Sequence, residues 1–207
     1  MAISLVATYK NASGGTLTGL QPNDVVFVYP FRGGSNSKPT IPAGWTTFTA
    51  GVTTNSSGSQ AAYQVVSGTS LVTGTFTNAT NCVFIALRGV DNTTPIGGSA
   101  VSTGASSTVT YPALTMTDTS GSSWVLGLAG HRSTNTTIDT PPTGMTFGDS
   151  QITTGEVAVH YTASGVTSWS AVSPSVGGTS SGWGVYTVEL LAAGGASVNK
   201  SGMMAFF

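Results

Sequence analysis

The sequence predicts an all-β fold: a two-sheet antiparallel β-sandwich, jelly-roll-like, with an internal pseudo-two-fold duplication. Three observations lead there. The apolar segments are short and rich in β-branched and aromatic residues. Clusters of Gly, Asn, Ser and Thr bound them at spacings of roughly 8–15 residues, the rhythm of a sandwich or barrel. The second half of the chain also repeats the outline of the first.

In chain order, the first strand is expected at Ile3–Tyr9. Asp24–Arg32 and Cys82–Arg88 contain the continuous apolar runs VVFVY and CVFIAL. Runs without alternation mark central strands covered on both faces. Between them Trp45–Ala50, Gln60–Val66 and Leu71–Thr77 read as shorter strands. Residues 91–114 read as a polar connection leading into a strand at Thr108–Met116. Strands then follow at Ser123–Arg132, Met145–Ser150, Glu156–Thr162, Val166–Ala171 and Trp183–Leu191.

The repeat rests on four matches in one order. At an offset of 100, VVFVYPFR (25–32) falls on VLGLAGHR (125–132), placing Arg32 on Arg132. The same offset lays Pro42, Gly44 and Thr46 on Pro142, Gly144 and Thr146. At 97, QAAYQVVSG (60–68) meets VAVHYTASG (157–165), and at 102, VFIAL (83–87) meets VYTVE (185–189). No charged or Pro-rich linker separates the halves. The expectation is one composite domain over residues 1–193, with half-repeats at about 20–90 and 120–192. The Pro-x-Gly element reads as a corner: glycine tolerates the positive φ of a type II turn, and proline pre-sets a turn position. Trp45 and Met145 would then open a new strand and turn towards the core.

Composition narrows function. Only 6% of residues are charged and the formal net charge is −1, where an average soluble domain carries about 25% charged residues. The six basic residues are scattered, so no nucleic-acid or anionic-lipid footprint is legible. No apolar run approaches the roughly 18 residues of a membrane helix. The N-terminus lacks the basic and apolar regions of a signal peptide. The lone cysteine, Cys82, lies in an apolar run and reads as a small buried hydrophobe.

Catalytic signals are weak. GTSSG (178–182) matches a Gly-x-Ser-x-Gly elbow around Ser180, but that motif needs a following helix, and a β-like segment follows. His131 and His160 sit in separate strands, and Asp139, Asp149 and Glu156 show no metal-ligand spacing. No catalytic residue, metal ligand or cofactor is assigned, and the chain is not expected to be an enzyme. Arg32 and Arg132 each end a strand before a Ser/Asn-rich loop. Each either satisfies loop carbonyls or contacts a glycan or a neighbouring subunit. Trp169 is either a core residue or a sugar-stacking platform. The stretch 194–207, GGASVNKSGMMAFF, reads as a flexible tail whose Met203, Met204, Phe206 and Phe207 either stay disordered or dock into a neighbouring chain.

NDVVFVYPFRGG, PTIPAGWTTF, SWVLGLAGHRSTNTTIDTPPTGMTF and GGTSSGWGVYTVELLA together resemble a widespread group of tailed-bacteriophage virion proteins, over residues of about 20 to 192. The resemblance implies a structural sandwich made in the host bacterial cytoplasm and carried on the virion, in tail, fibre or capsid decoration. It implies partners among other virion proteins, homo-oligomers, and host surface glycan if the module is an adhesin. It brings no catalytic motif. If the tail docks, deleting residues 194–207 abolishes incorporation into particles, measured by immunoblot of gradient-purified virions. Normal incorporation of the shortened chain would rule docking out.

Overall fold

A computed structural model describes residues 1–194. The expectations placed on Met203, Met204, Phe206 and Phe207 lie outside the described residues. The first half forms β1 (Ser4–Asn11), β2 (Thr16–Thr18), β3 (Val25–Gly33), β4 (Thr46–Thr47), β5 (Val52–Thr54), β6 (Ser57–Ser59), β7 (Ala62–Val65), β8 (Ser70–Val72) and β9 (Asn81–Arg88). The second forms β10 (Ile96–Ser106), β11 (Trp124–His131), β12 (Thr146–Ile152), β13 (Glu156–Tyr161) and β14 (Ser181–Leu190). All pairings are antiparallel, and two large sheets stack face to face.

Each half builds one whole sheet. The first runs β1-β9-β3, then β6 and β7 side by side along β3, then β5 and β4. The second runs β10-β14-β11-β13-β12. The order is the same, strand for strand. The jelly-roll description therefore does not fit the connections: a jelly roll wraps its strands across both sheets, whereas this chain changes large sheets once, between β9 and β10.

Three layers of core result. Between the sheets, Phe27, Tyr29, Ile85 and Leu87 meet Leu126, Val159, Tyr186 and Leu190. The outer face of the first sheet carries Val26, Val28 and Phe84, roofed by Leu17 of β2, Leu71 of β8 and Phe76. The outer face of the second carries Val125, Ala129 and Val185, roofed by Val109, Tyr111 and Trp169. This explains the continuous apolar runs: β3, β9, β11 and β14 are buried on both faces.

The second roof corrects two expected strands. Thr108–Met116 and Val166–Ala171 make only isolated bridges, Thr108 to Ser175, Tyr111 to Val172 and Leu114 to Trp169. They correspond to the short β2–β8 ribbon of the first half. Conversely β10, IGGSAVSTGAS, lay inside the expected polar connection. Its residues have little strand preference, and ten pairs with β14 impose the strand. With β1 and β10 included, the likeness between the two halves extends further than the sequence implied.

The register shows how the halves correspond. Phe27 stands opposite Tyr63, and Leu126 opposite Tyr161, with all four turned towards the shared core. Val25 stands opposite Leu87, and Trp124 opposite Leu190, again all facing inward. The shifts are therefore 99 for β3 onto β11, 98 for β7 onto β13 and 103 for β9 onto β14. Each differs by one residue from the offset legible in the sequence. At 100, inward Val25 would fall on outward Val125. A one-residue slip exchanges the faces of a strand, and strands apolar on both faces give hydrophobicity no means of choosing. The matched arginines are accordingly corrected: Arg32 corresponds to His131, and Gly33 to Arg132. The first strands agree too, with a β-bulge between Leu5 and Ala7 and another between Ile96 and Gly98.

The corner holds at 100. Gly44 and Gly144 both have φ 89°, and Met145 N–H donates to the Pro142 carbonyl at 3.0 Å. Proline thus takes the first turn position rather than the second. Trp45 is half-buried in the outer core, 5.5 Å from Phe76 and 6.1 Å from Phe84 between ring centres, with Nε1 donating to the Thr73 carbonyl at 2.9 Å.

One side chain joins the two sheets at full hydrogen-bonding capacity. Asn81, fully buried at the start of β9, donates through Nδ2 to the carbonyls of Gln151 and Gly155, each at 3.1 Å. Its Oδ1 accepts from the hydroxyls of Thr80 and Thr153, each at 2.8 Å. Asn81→Ala removes a donor from the Gln151 and Gly155 carbonyls, the latter keeping only the Thr153 N–H at 2.9 Å, and the shared acceptor of two hydroxyls, and is expected to cost about 2–4 kcal/mol. Urea unfolding checks this, and a loss below about 1 kcal/mol would contradict it.

Candidate functional site

The end of the sandwich where β3 and β11 finish gathers most of the sequence candidates. Both strands run into the Thr154–Gly155 turn between β12 and β13. A Cβ on Gly33 would lie 2.0 Å from the Thr154 carbonyl oxygen, and one on Gly155 would lie 3.0 Å from Phe31 and 3.5 Å from the Arg132 Cα. Arg32 and Arg132 therefore flank one turn although they are not equivalent. Arg132 is exposed, with its N–H donating to the Gly182 carbonyl at 2.8 Å. Arg32 is half-buried, and its Nε is buried without a partner.

The surrounding loops are hydroxyl- and amide-rich, and their polar groups are largely committed to one another. Asn36 Oδ1 accepts from Ser56 N–H at 2.7 Å. His131 is buried, with Nδ1 accepting from Ser133 N–H at 3.0 Å and Nε2 donating to the Ser106 carbonyl at 2.9 Å. That pairing fixes the Nε2–H tautomer and leaves no ring nitrogen for proton transfer. Glu156 accepts from the Thr136 N–H at 3.2 Å and hydroxyl at 2.5 Å, and burial raises its carboxyl pKa. Ser180 is exposed just before β14, so a strand follows it where an elbow needs a helix.

The other candidates lie elsewhere. Trp169 is 8% exposed in the outer core of the second sheet, and its Nε1 has no partner. It is a roof residue, which removes it as an exposed sugar platform. Asp149 of β12 pairs with Lys10 of β1 at 2.9 Å, clasping one flank. Burial pushes the Cys82 thiol well above its ordinary range, where it stays protonated and inert. Among the described residues, no three His, Cys, Asp or Glu side chains are grouped to hold a metal ion.

Sequence reasoning missed two buried carboxylates besides Asn81. Glu189 of β14 accepts from the N–H groups of Thr117 and Asp118 at 2.7 and 2.8 Å. Asp24, 1% exposed, receives Arg88 in a two-pronged ion pair at 2.8 Å on both arms. Their signal was a charge at the end of, or inside, an otherwise apolar run. The Asp24–Arg88 pair also lines a depression of about 290 Å³ with Gln21, Asn23 and Asn92, at the opposite end from Arg132. Asp118 is held down at about 2, chiefly by the Ser122 hydroxyl. No helix among the described residues is long and apolar enough to cross a membrane.

His160 is fully buried under the second roof, its Nδ1 3.0 Å from the Tyr111 hydroxyl and its Nε2 without a partner. Burial lowers its pKa from 6.5 to about 4, and the nearby Asp139 main chain offsets this only in part. The unfolded chain takes up this proton near pH 6.5, and the native one not until about pH 4. The stability conferred by neutral His160 is thus complete above pH 6.5 and lost as pH falls to about 4. The loss is expected to be on the order of 3 kcal/mol. His160→Gln should remove this loss, so that the difference in unfolding free energy between the two proteins changes by about 3 kcal/mol across that window. Parallel pH profiles would contradict it. Comparison with protein-family models, with curated proteins and with solved structures finds no match in any of the three.

Proposed function

We propose that the chain is a structural module of a tailed-phage virion, in tail, fibre or capsid decoration, assembling with other copies and other virion proteins through the flanks of its sandwich. The observation that carries this reading is where the polar groups go. Asn81, Asp24, Glu156, Glu189 and His131 are buried and bonded within the chain. Such groups hold a shape and leave no nucleophile beside a free base. A surface of hydroxyls, amides and backbone with 6% charged residues suits packing against neighbours of the same kind. The resemblance to tailed-phage virion proteins supplies the kind of particle.

The runner-up is a glycan-binding adhesin. It retains exposed Arg132 among Ser133, Asn135 and Thr136, but it loses Trp169 to the core. Particles purified from a producing bacterial culture separate the two readings. The chain is expected to band with particles in a density gradient, identified by mass spectrometry. A chain found only in the soluble lysate overturns the virion reading. Glycan-array binding that is lost in Arg132→Ala would then favour the adhesin.

A further inference from the structure

The two sheets offer four outer edges, and three carry a device against pairing with another strand. β1 has a bulge at Val6 and Lys10, and β12 has a bulge at Gly148 and Asp149. The two are clasped by the Lys10–Asp149 pair. The remaining edge of the first sheet is split into β5 and β4, three and two residues long. Bulges, charges and short strands are the means by which exposed edges avoid association.

β10 has almost none of these. It is the longest strand among the described residues, with 11 residues and no charge or proline. Its bulge lies at the very start, and Gly98–Ser106 then pairs with β14 without interruption. Among the described residues, β14 is its only strand neighbour. The 108–118 segment lies over the sheet face, where the Thr110 carbonyl accepts from Ser102 and the Pro112 carbonyl from Thr187, and it meets the β10 main chain at the Gly97 bulge, where the Thr117 hydroxyl donates to the Gly97 carbonyl at 2.6 Å, outside the Gly98–Ser106 run. Ser99, Thr103 and Ala105 are exposed.

We propose that the β10 edge pairs antiparallel with β10 of a second copy, about a two-fold axis at Val101, joining two five-stranded sheets into one. The sequence matches itself in that register. Val101 meets Val101, Ser99 meets Thr103, Ala100 meets Ser102 and Gly98 meets Gly104. β-Branched and hydroxyl pairs stabilise neighbouring strands, small residues let the edges approach, and no like charges oppose each other. The outward main-chain N–H and C=O groups of β10 supply the bonds, as in recognition by strand addition. An isologous contact closes on itself, so it gives a dimer rather than a fibre. The inference rests on the assembly reading above and names the flank and the partner.

Sedimentation velocity of the full chain at micromolar concentration tests it. The wild type is expected to be a dimer. Ser99→Lys with Thr103→Lys sets lysine against lysine twice and is expected to weaken association about tenfold or more. Ser99→Lys with Thr103→Glu sets opposite charges together in the same register and is expected to keep the dimer. Both sites are exposed, and thermal unfolding of each variant verifies the fold. A monomeric wild type, a dimer indifferent to the double lysine, or two variants that behave alike would overturn the proposal. Incorporation into particles is read separately: a chain that dimerises through β10 yet stays out of particles defeats the virion reading alone.

Discussion

Neither half of this chain can bury its own inner face. Phe27, Tyr29, Ile85 and Leu87 on one sheet and Leu126, Val159, Tyr186 and Leu190 on the other form a single cluster. Separated, each sheet would expose one side of its central strands to water, at about 1.5–3 kcal/mol for each large side chain. The rest of the structure follows from that mutual cover. With inner faces committed to each other, the outer faces of the same strands need roofs, and the β2–β8 ribbon and the 108–116 and 166–176 segments provide them.

Close approach of the sheets sets the small residues. Tyr29 and Phe31 cross to β11, where a Cβ on Gly130 would come within 2.6 Å of Phe31. The Tyr29 hydroxyl reaches the Gly184 carbonyl of β14 at 2.7 Å. The junctions between halves are fastened at both ends. Asn81 and Gln151 bind the sheets at one end. At the other, Val90 bridges Ala192, and Asp91 N–H donates to the Leu191 carbonyl at 2.8 Å. Buried polar groups left unpaired destabilise more than paired ones stabilise, so these contacts select one alignment of the halves over its neighbours. The same commitment leaves little polar chemistry free, which is why the surface is more informative than any cleft.

Much of this was legible in the residues. VVFVY and CVFIAL, apolar without alternation, announced central strands covered twice, and a charge-poor, β-branched composition announced sheets rather than helices. The Pro-x-Gly corner at 42–44 and 142–144 was readable because a positive φ at glycine is a local requirement. The candidate site was less so. Arg32 and Arg132 do reach one turn, but by different routes, and Trp169, in a polar stretch, is part of a roof that sequence spacing could not foresee.

The sequence by itself determined the fold class, the doubly covered strands, the corner and the likeness of the two halves, all of which rest on local preference and composition. Tertiary structure alone decided the register, the partition of each half into its own sheet, and the strand at β10. The physical reason is common to all three. Strand pairing is long-range, and a segment such as IGGSAVSTGAS becomes a strand only because β14 lies beside it. Where both faces of a strand are apolar, a slip of one residue leaves the hydrophobic pattern unchanged, and only the facing sheet distinguishes Val25 from Val26.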